Sequence, residues 1–321
     1  MADPATGNVP ITVDFEQSWG VAKGSPAGRK LSVIECNIAP NRGFQDNPSL
    51  RAGWNPAQPF PGAAKPGGTI RLVPNVHSAS FFQKLLTGNL VKTGAADPWL
   101  ATSELSTDMP KSAIVESPIT VAGVTKYWRA TGVRVQNWTI PIAHEGALIL
   151  DIGVGAKTAK LETVAYDASP DDWSTAAQID QTKLQSGFVK IGGVAVGYLR
   201  GGSLTGDTRL QDDFRAGVDG RGSLVPMVHT LGGSLDIALD SAAALTYVTD
   251  GGVVDVELKW LVETDRYWRV KYHVILEPSG PPVKDGLINV PVNIRGFEDT
   301  GTGTAVEFET SVGTDPDTEY A

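Results

Sequence analysis

The chain is poor in the residues that carry most protein chemistry. Among 321 residues there is one cysteine, Cys36, and there are four histidines. A single cysteine allows no disulfide within the chain. His77, His144, His229 and His273 have no i,i+4 spacing and no cysteine partner, so no metal site is expected. No Gly-x-Ser-x-Gly elbow is present, and Cys36 falls in a predicted strand, so no catalytic residue is assigned. Gly153-Val154-Gly155-Ala156-Lys157-Thr158 has the look of a phosphate loop, but Ala156 separates glycine from lysine and no helical pattern follows. No cofactor is expected. No apolar run approaches about 18 residues, and no charged-then-apolar leader opens the chain. Membrane insertion and secretion by signal peptide are therefore not expected, and the glycosylation-like Asn137-Trp138-Thr139 is read as chance. Asp171/Asp172 and Asp212/Asp213 read as solvated surface.

What is present is glycine, proline and short apolar runs. Thirty-six glycines and 21 prolines punctuate strand-like segments, the pattern of a turn-rich β chain. The net charge of −9 is unevenly spread: residues 1–160 hold 15 Lys+Arg against 11 Asp+Glu, and the rest 12 against 25. An acidic chain does not grip nucleic acid through its phosphates, yet can sit beside it without sticking.

The chain also repeats itself. Tyr127-Trp128-Arg129 precedes an apolar strand opening at Gly146, and Tyr267-Trp268-Arg269 precedes one opening at Gly286, at a constant offset of 140 residues. Upstream, Arg51-Ala52-Gly53 leads to Gly67-Gly68-Thr69-Ile70-Arg71-Leu72, and Arg215-Ala216-Gly217 leads to Gly232-Gly233-Ser234-Leu235-Asp236-Ile237, offset by 164 to 165. Ordered landmarks at constant offsets indicate a duplicated unit.

Between the landmarks, Ile11 to Glu16 alternates as a half-buried strand does. Residues 41–66 form a long loop, and such loops are commonly interfacial. Ser78 to Gly88 reads as a short helix with Phe81, Phe82, Leu85 and Leu86 on one face, packing on a sheet as a lid. A feebler counterpart lies at Asp240 to Leu245. Residues 89–122 read as irregular. Ser169-Pro170-Asp171-Asp172 reads as the start of a helix running through Gln181. Ala305 to Thr310 reads as a last strand, donated to a neighbouring molecule.

Trp54 and Trp99 fall in loops, facing a partner or a sugar, whereas Trp128 and Trp268 recur at matched positions and point to the core. A carbohydrate-binding β-sandwich is the alternative reading, and a two-carboxylate hydrolase a weaker one.

The ordered set of Trp19-Gly20, Arg51-Ala52-Gly53, Gly67-Gly68, Phe81-Phe82-Gln83-Lys84-Leu85-Leu86, the Gly132 to Val154 hairpin and Ile288 to Asp299 resembles the major tail tube proteins of long-tailed, siphovirus-type bacteriophages, in their large two-domain class. The resemblance covers nearly the whole chain. It implies a mainly β fold with two tandem tail-tube-like β-sandwich or barrel domains, each with a short flanking helix. On this reading residues 1–10 are an arm, 11–168 the first domain with an insertion at about 93–122, 169–185 a connecting helix or linker, 186–297 the second domain, and 298–321 an acidic extension. It further implies a non-enzymatic virion protein, assembled in the host cytoplasm into stacked rings that form a hollow tube through which DNA passes. Two fused domains favour homotrimeric rings with pseudo-sixfold symmetry over homohexamers. Tape measure, tail terminator and distal tail proteins are the implied partners. Asp151, Asp255 and Glu257 are the candidate lumen-facing acids. Trp54, Phe60, Trp99, Phe214 and Phe308 are the candidate contacts between subunits or rings.

Overall fold

A computed structural model describes residues 9–45, 58–105, 109–184, 189–195, 198–214, 221–239, 246, 253–280, 283–285, 287–298 and 304–320. Its principal strands are β1 (Val9–Phe15), β2 (Arg29–Val33), β3 (Glu35–Cys36), β4 (Gly67–Leu72), β5 (Trp99–Glu104), β6 (Ala113–Val121), β7 (Val124–Ala143), β8 (Leu150–Gly155), β9 (Thr158–Glu162), β10 (Val189–Ile191), β11 (Tyr198–Asp207), β12 (Thr230–Leu239), β13 (Val253–Leu261), β14 (Tyr267–Pro278), β15 (Leu287–Gly296) and β16 (Val306–Val312). One long helix, α1 (Val76–Thr87), lies among them.

β7 belongs to two sheets. Its first half lies in the order β2-β1-β6-β7-β9. Its second half lies in a run of eight antiparallel strands, β3-β4-β8-β7-β11-β12-β15-β14. The first half of β14 is flanked by β13 and β16, which carry β10 and β5 outward. Followed from strand to strand, these ladders branch but never return to their start, so among the described residues no barrel closes. The fold is a layered, sandwich-type β structure. Strand alternation produces it. In β14, Trp268, Val270, Tyr272, Val274 and Leu276 are buried on one face, and the residues between them are partly exposed on the other.

β7 changes sheets at a built bend. Gly132 adopts φ 65°, a conformation that side chains disfavour, and the register with β6 shifts between Ala130 and Val133. The bend is held by Glu16. Its carboxylate accepts the amides of Gly132 (2.7 Å) and Gly20 (2.6 Å) and the Ser112 hydroxyl (2.6 Å), while Trp19 Nε1 donates to the Gly132 carbonyl (3.1 Å). Burial pushes the Glu16 pKa up, and these hydrogen bonds only partly offset it.

α1 begins earlier than the serine pattern suggests. Asn75 caps it, accepting from the Ser78 amide while Ser78 Oγ accepts from the Asn75 amide, and Gly88 ends it at φ 84°. The helix is not a lid. Nearly every side is buried, with Phe81 stacked on Phe15 of β1 and the Gln83 amide oxygen accepting from Thr310 of β16. It fills the space between layers, and one hydrophobic cluster runs through both repeats. The expected helix at Asp240 to Leu245 lies outside the described residues.

Two further expectations change. Residues 169–181 form no α-helix: the Asp171 amide donates to Gly28 and the Trp173 amide to Lys30, so the β2 edge takes this backbone. Trp173 then inserts beside Phe81, His77 and Tyr320. Residues 89–122, read as irregular, contain all of β5 and β6. β5 pairs with β16, so the last strand is donated within its own chain. Tyr320, 2% exposed, closes the same region.

Candidate assembly surface

The duplicated sequence landmarks become a duplicated register. Ile70 pairs with Ile152 and Leu72 with Leu150, across β4 and β8. Leu235 pairs with Val292 and Ile237 with Val290, across β12 and β15. The shifts are 165 residues on one strand and 140 on the other, the same as those of the sequence landmarks. The next strand follows suit: Asn137↔Gly153 and Trp138↔Ile152 correspond to Glu277↔Asn293 and Pro278↔Val292. On the far side, Glu35↔Arg71 and Ala39↔Gly67 correspond to Gly201↔Asp236 and Thr205↔Gly232, a shift of 166 on the outermost strand. The eight-stranded run is thus two equivalent quartets, β3-β4-β8-β7 and β11-β12-β15-β14.

The quartets meet where β11 pairs with the second half of β7, from Asn137↔Asp207 to Ala143↔Gly201. The Thr208 amide donates to the Gln136 carbonyl at 2.8 Å. The backbone groups of even-numbered residues on both strands therefore face across this seam. Pro141, opposite Ser203, turns its missing donor the other way. Gly206 lets the strands lie flat, because a Cβ there would stand 2.4 Å from the Trp138 ring.

The corresponding positions at the two ends of the run have no partner strand among the described residues. At one end, Asn37 and Ala39 donate to Thr69 and Gly67, so Cys36, Ile38 and Pro40 face outward. The Ile38 carbonyl accepts from Trp128 Nε1 at 2.7 Å. Burial pushes up the pKa of the half-buried Cys36 thiol, and the nearby Ile38 amide only partly offsets it. At the other end, Ser279 donates to Pro291, so Pro278 and Gly280 face outward beyond the last β13 pair, Val253↔Ile275.

One face of the eight strands packs on the core; the other carries small and polar side chains. Thr69, Thr139, Pro141, Ser203, Thr205, Ser234, Pro291 and Asn293 alternate there with buried neighbours. Its charged groups include Glu35, Asp151, Asp207, Asp236 and Glu277 against Arg71, Arg295 and the buried Arg134, with the exposed Arg200 at the bulge of β11.

The candidate lumen acids do not share one place. Asp151 lies on this face, paired with Arg71 at 2.8 Å. Asp255 and Glu257 lie on β13, outside the eight strands. Asp255 meets Lys271 (3.0 Å) and His273 (2.9 Å), and Glu257 meets Lys190 (3.3 Å). Burial raises the Asp255 pKa, but hydrogen bonds from His273 and Lys271 outweigh it and leave the group below the ordinary value.

The contact candidates also divide. Phe60 is exposed on a hairpin pairing Arg42–Gln45 with Phe60–Ala64, beside Phe44, 70% exposed. Phe214 is exposed under the Lys65 ammonium, and Trp99 is half-buried under Lys92. Trp54 lies outside the described residues. Phe308 is a core residue, 3% exposed and edge-on to Trp138, so it presents no contact surface. Its strand alternates like an edge strand, and its in-chain partner β5 carried no clear alternation to reveal it. The outward Pro40 and Pro278 were visible in the sequence but acquire meaning only through the register.

No helix among the described residues is long and apolar enough to cross a membrane. No curated protein matches the chain. The phage tail tube protein family matches residues 7–296, which spans both quartets. The chain belongs to the phage tail tube protein family, and is a structural component of the phage tail.

Proposed function

We propose that three copies of this chain close a ring whose inner wall is the eight-stranded run, and that rings stack into the hollow tube that conducts the genome. The observation that carries this reading is the repeated register: each chain supplies two equivalent quartets, so three chains supply six. Residues 11–168 and 186–297 act as the two repeated units. The small-residue face lines the lumen, and its excess of carboxylates repels DNA phosphates and lets the molecule slide. Asp151 is the lumen acid of the three candidates, whereas Asp255 and Glu257 stand on β13, beside the eight strands. The hairpin bearing Phe44 and Phe60 reaches the adjacent ring, where two exposed side chains gain by burial. Tape measure, terminator and distal tail proteins cap and fill the tube assembled in the host cytoplasm.

Negative-stain electron microscopy of the concentrated protein tests this reading. Hollow rings or tubes with three-fold outer features and a six-fold inner wall are expected. Compact monomers at every concentration, with or without a tail initiator complex, would reject it.

A further inference from the structure

The seam inside the chain is a template for the seam between chains. Shifting β7 by 140 residues and β11 by 166 converts Trp138↔Gly206 into Pro278↔Pro40, Thr139↔Thr205 into Ser279↔Ala39, and Ile140↔Leu204 into Gly280↔Ile38. Both resulting segments are the outer edges of the eight-stranded run, and both face outward with the parity that the internal seam uses.

We propose that residues 277–280 of one copy pair with residues 38–41 of a second copy in this register, and that this seam is short of hydrogen-bond donors. The proposal rests on the ring reading above. The internal seam presents amides at Gln136, Trp138, Ile140 and Ile142, facing Gly202, Leu204, Gly206 and Thr208. At the matching outer positions Pro278 and Pro40 have no amide, and they stand opposite each other. Ile38 already gives its carbonyl to Trp128. The sequence continues Pro281-Pro282, outside the described residues. Proline on a sheet edge blocks indiscriminate strand addition. The outer seam therefore resists closing on a stray strand, and it relies on the side-chain and ring-to-ring contacts that only a correct neighbour supplies. The two seams share a geometry and differ in strength.

The register is tested by cysteine pairing. Ser279 and Ala39 form a non-hydrogen-bonded pair across the proposed seam, a Cα separation that a disulfide spans. Chains carrying Ser279→Cys, Ala39→Cys and Cys36→Ala, oxidised after assembly, are expected to give covalent dimers and trimers and nothing larger on a non-reducing gel. Rings seen by microscopy without covalent products would overturn the seam and leave the ring reading intact. Absence of rings from the unmodified chain under every condition would remove both. The donor shortage is tested by Pro40→Thr with Pro278→Thr, whose monomer melting temperature serves as the folding control. Two restored hydrogen bonds are expected to lower the critical concentration for assembly about fivefold or more. An unchanged or higher critical concentration, with melting unaltered, would overturn it.

Discussion

The first repeat is bent and the second is straight, although their registers match. At Gly132 β7 turns through φ 65° around the Glu16 carboxylate, and β6 leaves its edge after Val133↔Ala113. The residue 140 positions later is Tyr272, fully buried in β14 and paired with Val306. A buried tyrosine has no ready access to the left-handed region, so β14 runs on and β13 stays beside it as far as Ile275. The bend exposes a long edge of β7, which β11 fills. The straight strand leaves only a short, proline-bearing end. A glycine-to-tyrosine difference between repeats thus marks the contrast between a strand edge filled within the chain and a short outer edge with no partner strand among the described residues.

The comparison is broken most severely at β16. Phe308→Ala should cost about 3–5 kcal/mol, because a core ring against Trp138 is lost. Denaturant unfolding reads this directly; undiminished stability with impaired assembly would return Phe308 to the surface. Glu16→Ala strands the amides of Gly132 and Gly20 and should cost about 2–3 kcal/mol. Amide exchange should accelerate around Gly132 and not around Tyr272; equal acceleration in both repeats would contradict the bend's dependence on Glu16. Gly206→Ala drives a Cβ into the Trp138 ring across the internal seam and should cost about 1–3 kcal/mol. A neutral melting curve would mean that the seam is looser than described.

The smallest effect concerns pH. The folded-state pKa of Asp255 lies below its ordinary value, so its ionised form stabilises the fold above the unfolded pKa, and that contribution is lost as pH falls below about 4. Asp255→Asn should therefore melt with a shallower acid dependence than the parent chain. Identical slopes would remove the role of the His273 and Lys271 contacts.

The repeat was legible because Tyr-Trp-Arg and Gly-Gly occupy equivalent register positions in the two halves. α1 was legible from Phe81, Phe82, Leu85 and Leu86, but its burial on nearly every side was not. Ser78 and Gln83 look solvent-facing in sequence, yet they bond inward to Asn75 and Thr310. Ser169-Pro170-Asp171-Asp172 misled because an acidic helix start and an Asx turn share residue types. Here Asp172 accepts the Ser174 amide at 2.9 Å, and the β2 edge captures the backbone. β5 was missed for want of alternation, and with it the partner that keeps β16 in its own chain. Local pattern predicts strands; it does not say which strand, near or distant, will pair with them. Only the register, a property of pairs, separated Asp151 from Asp255 and Glu257 and picked out the outer edges.

The most direct test of this assembly is a cryo-electron reconstruction of assembled tubes without imposed symmetry. Three chains per ring are expected, with an inner wall of six near-equivalent quartets. Its seams should alternate, one continuous through β7 and β11 and one crossing between copies at Pro278 and Pro40. Six whole chains per ring, or an inner wall built from any other strands, would contradict it.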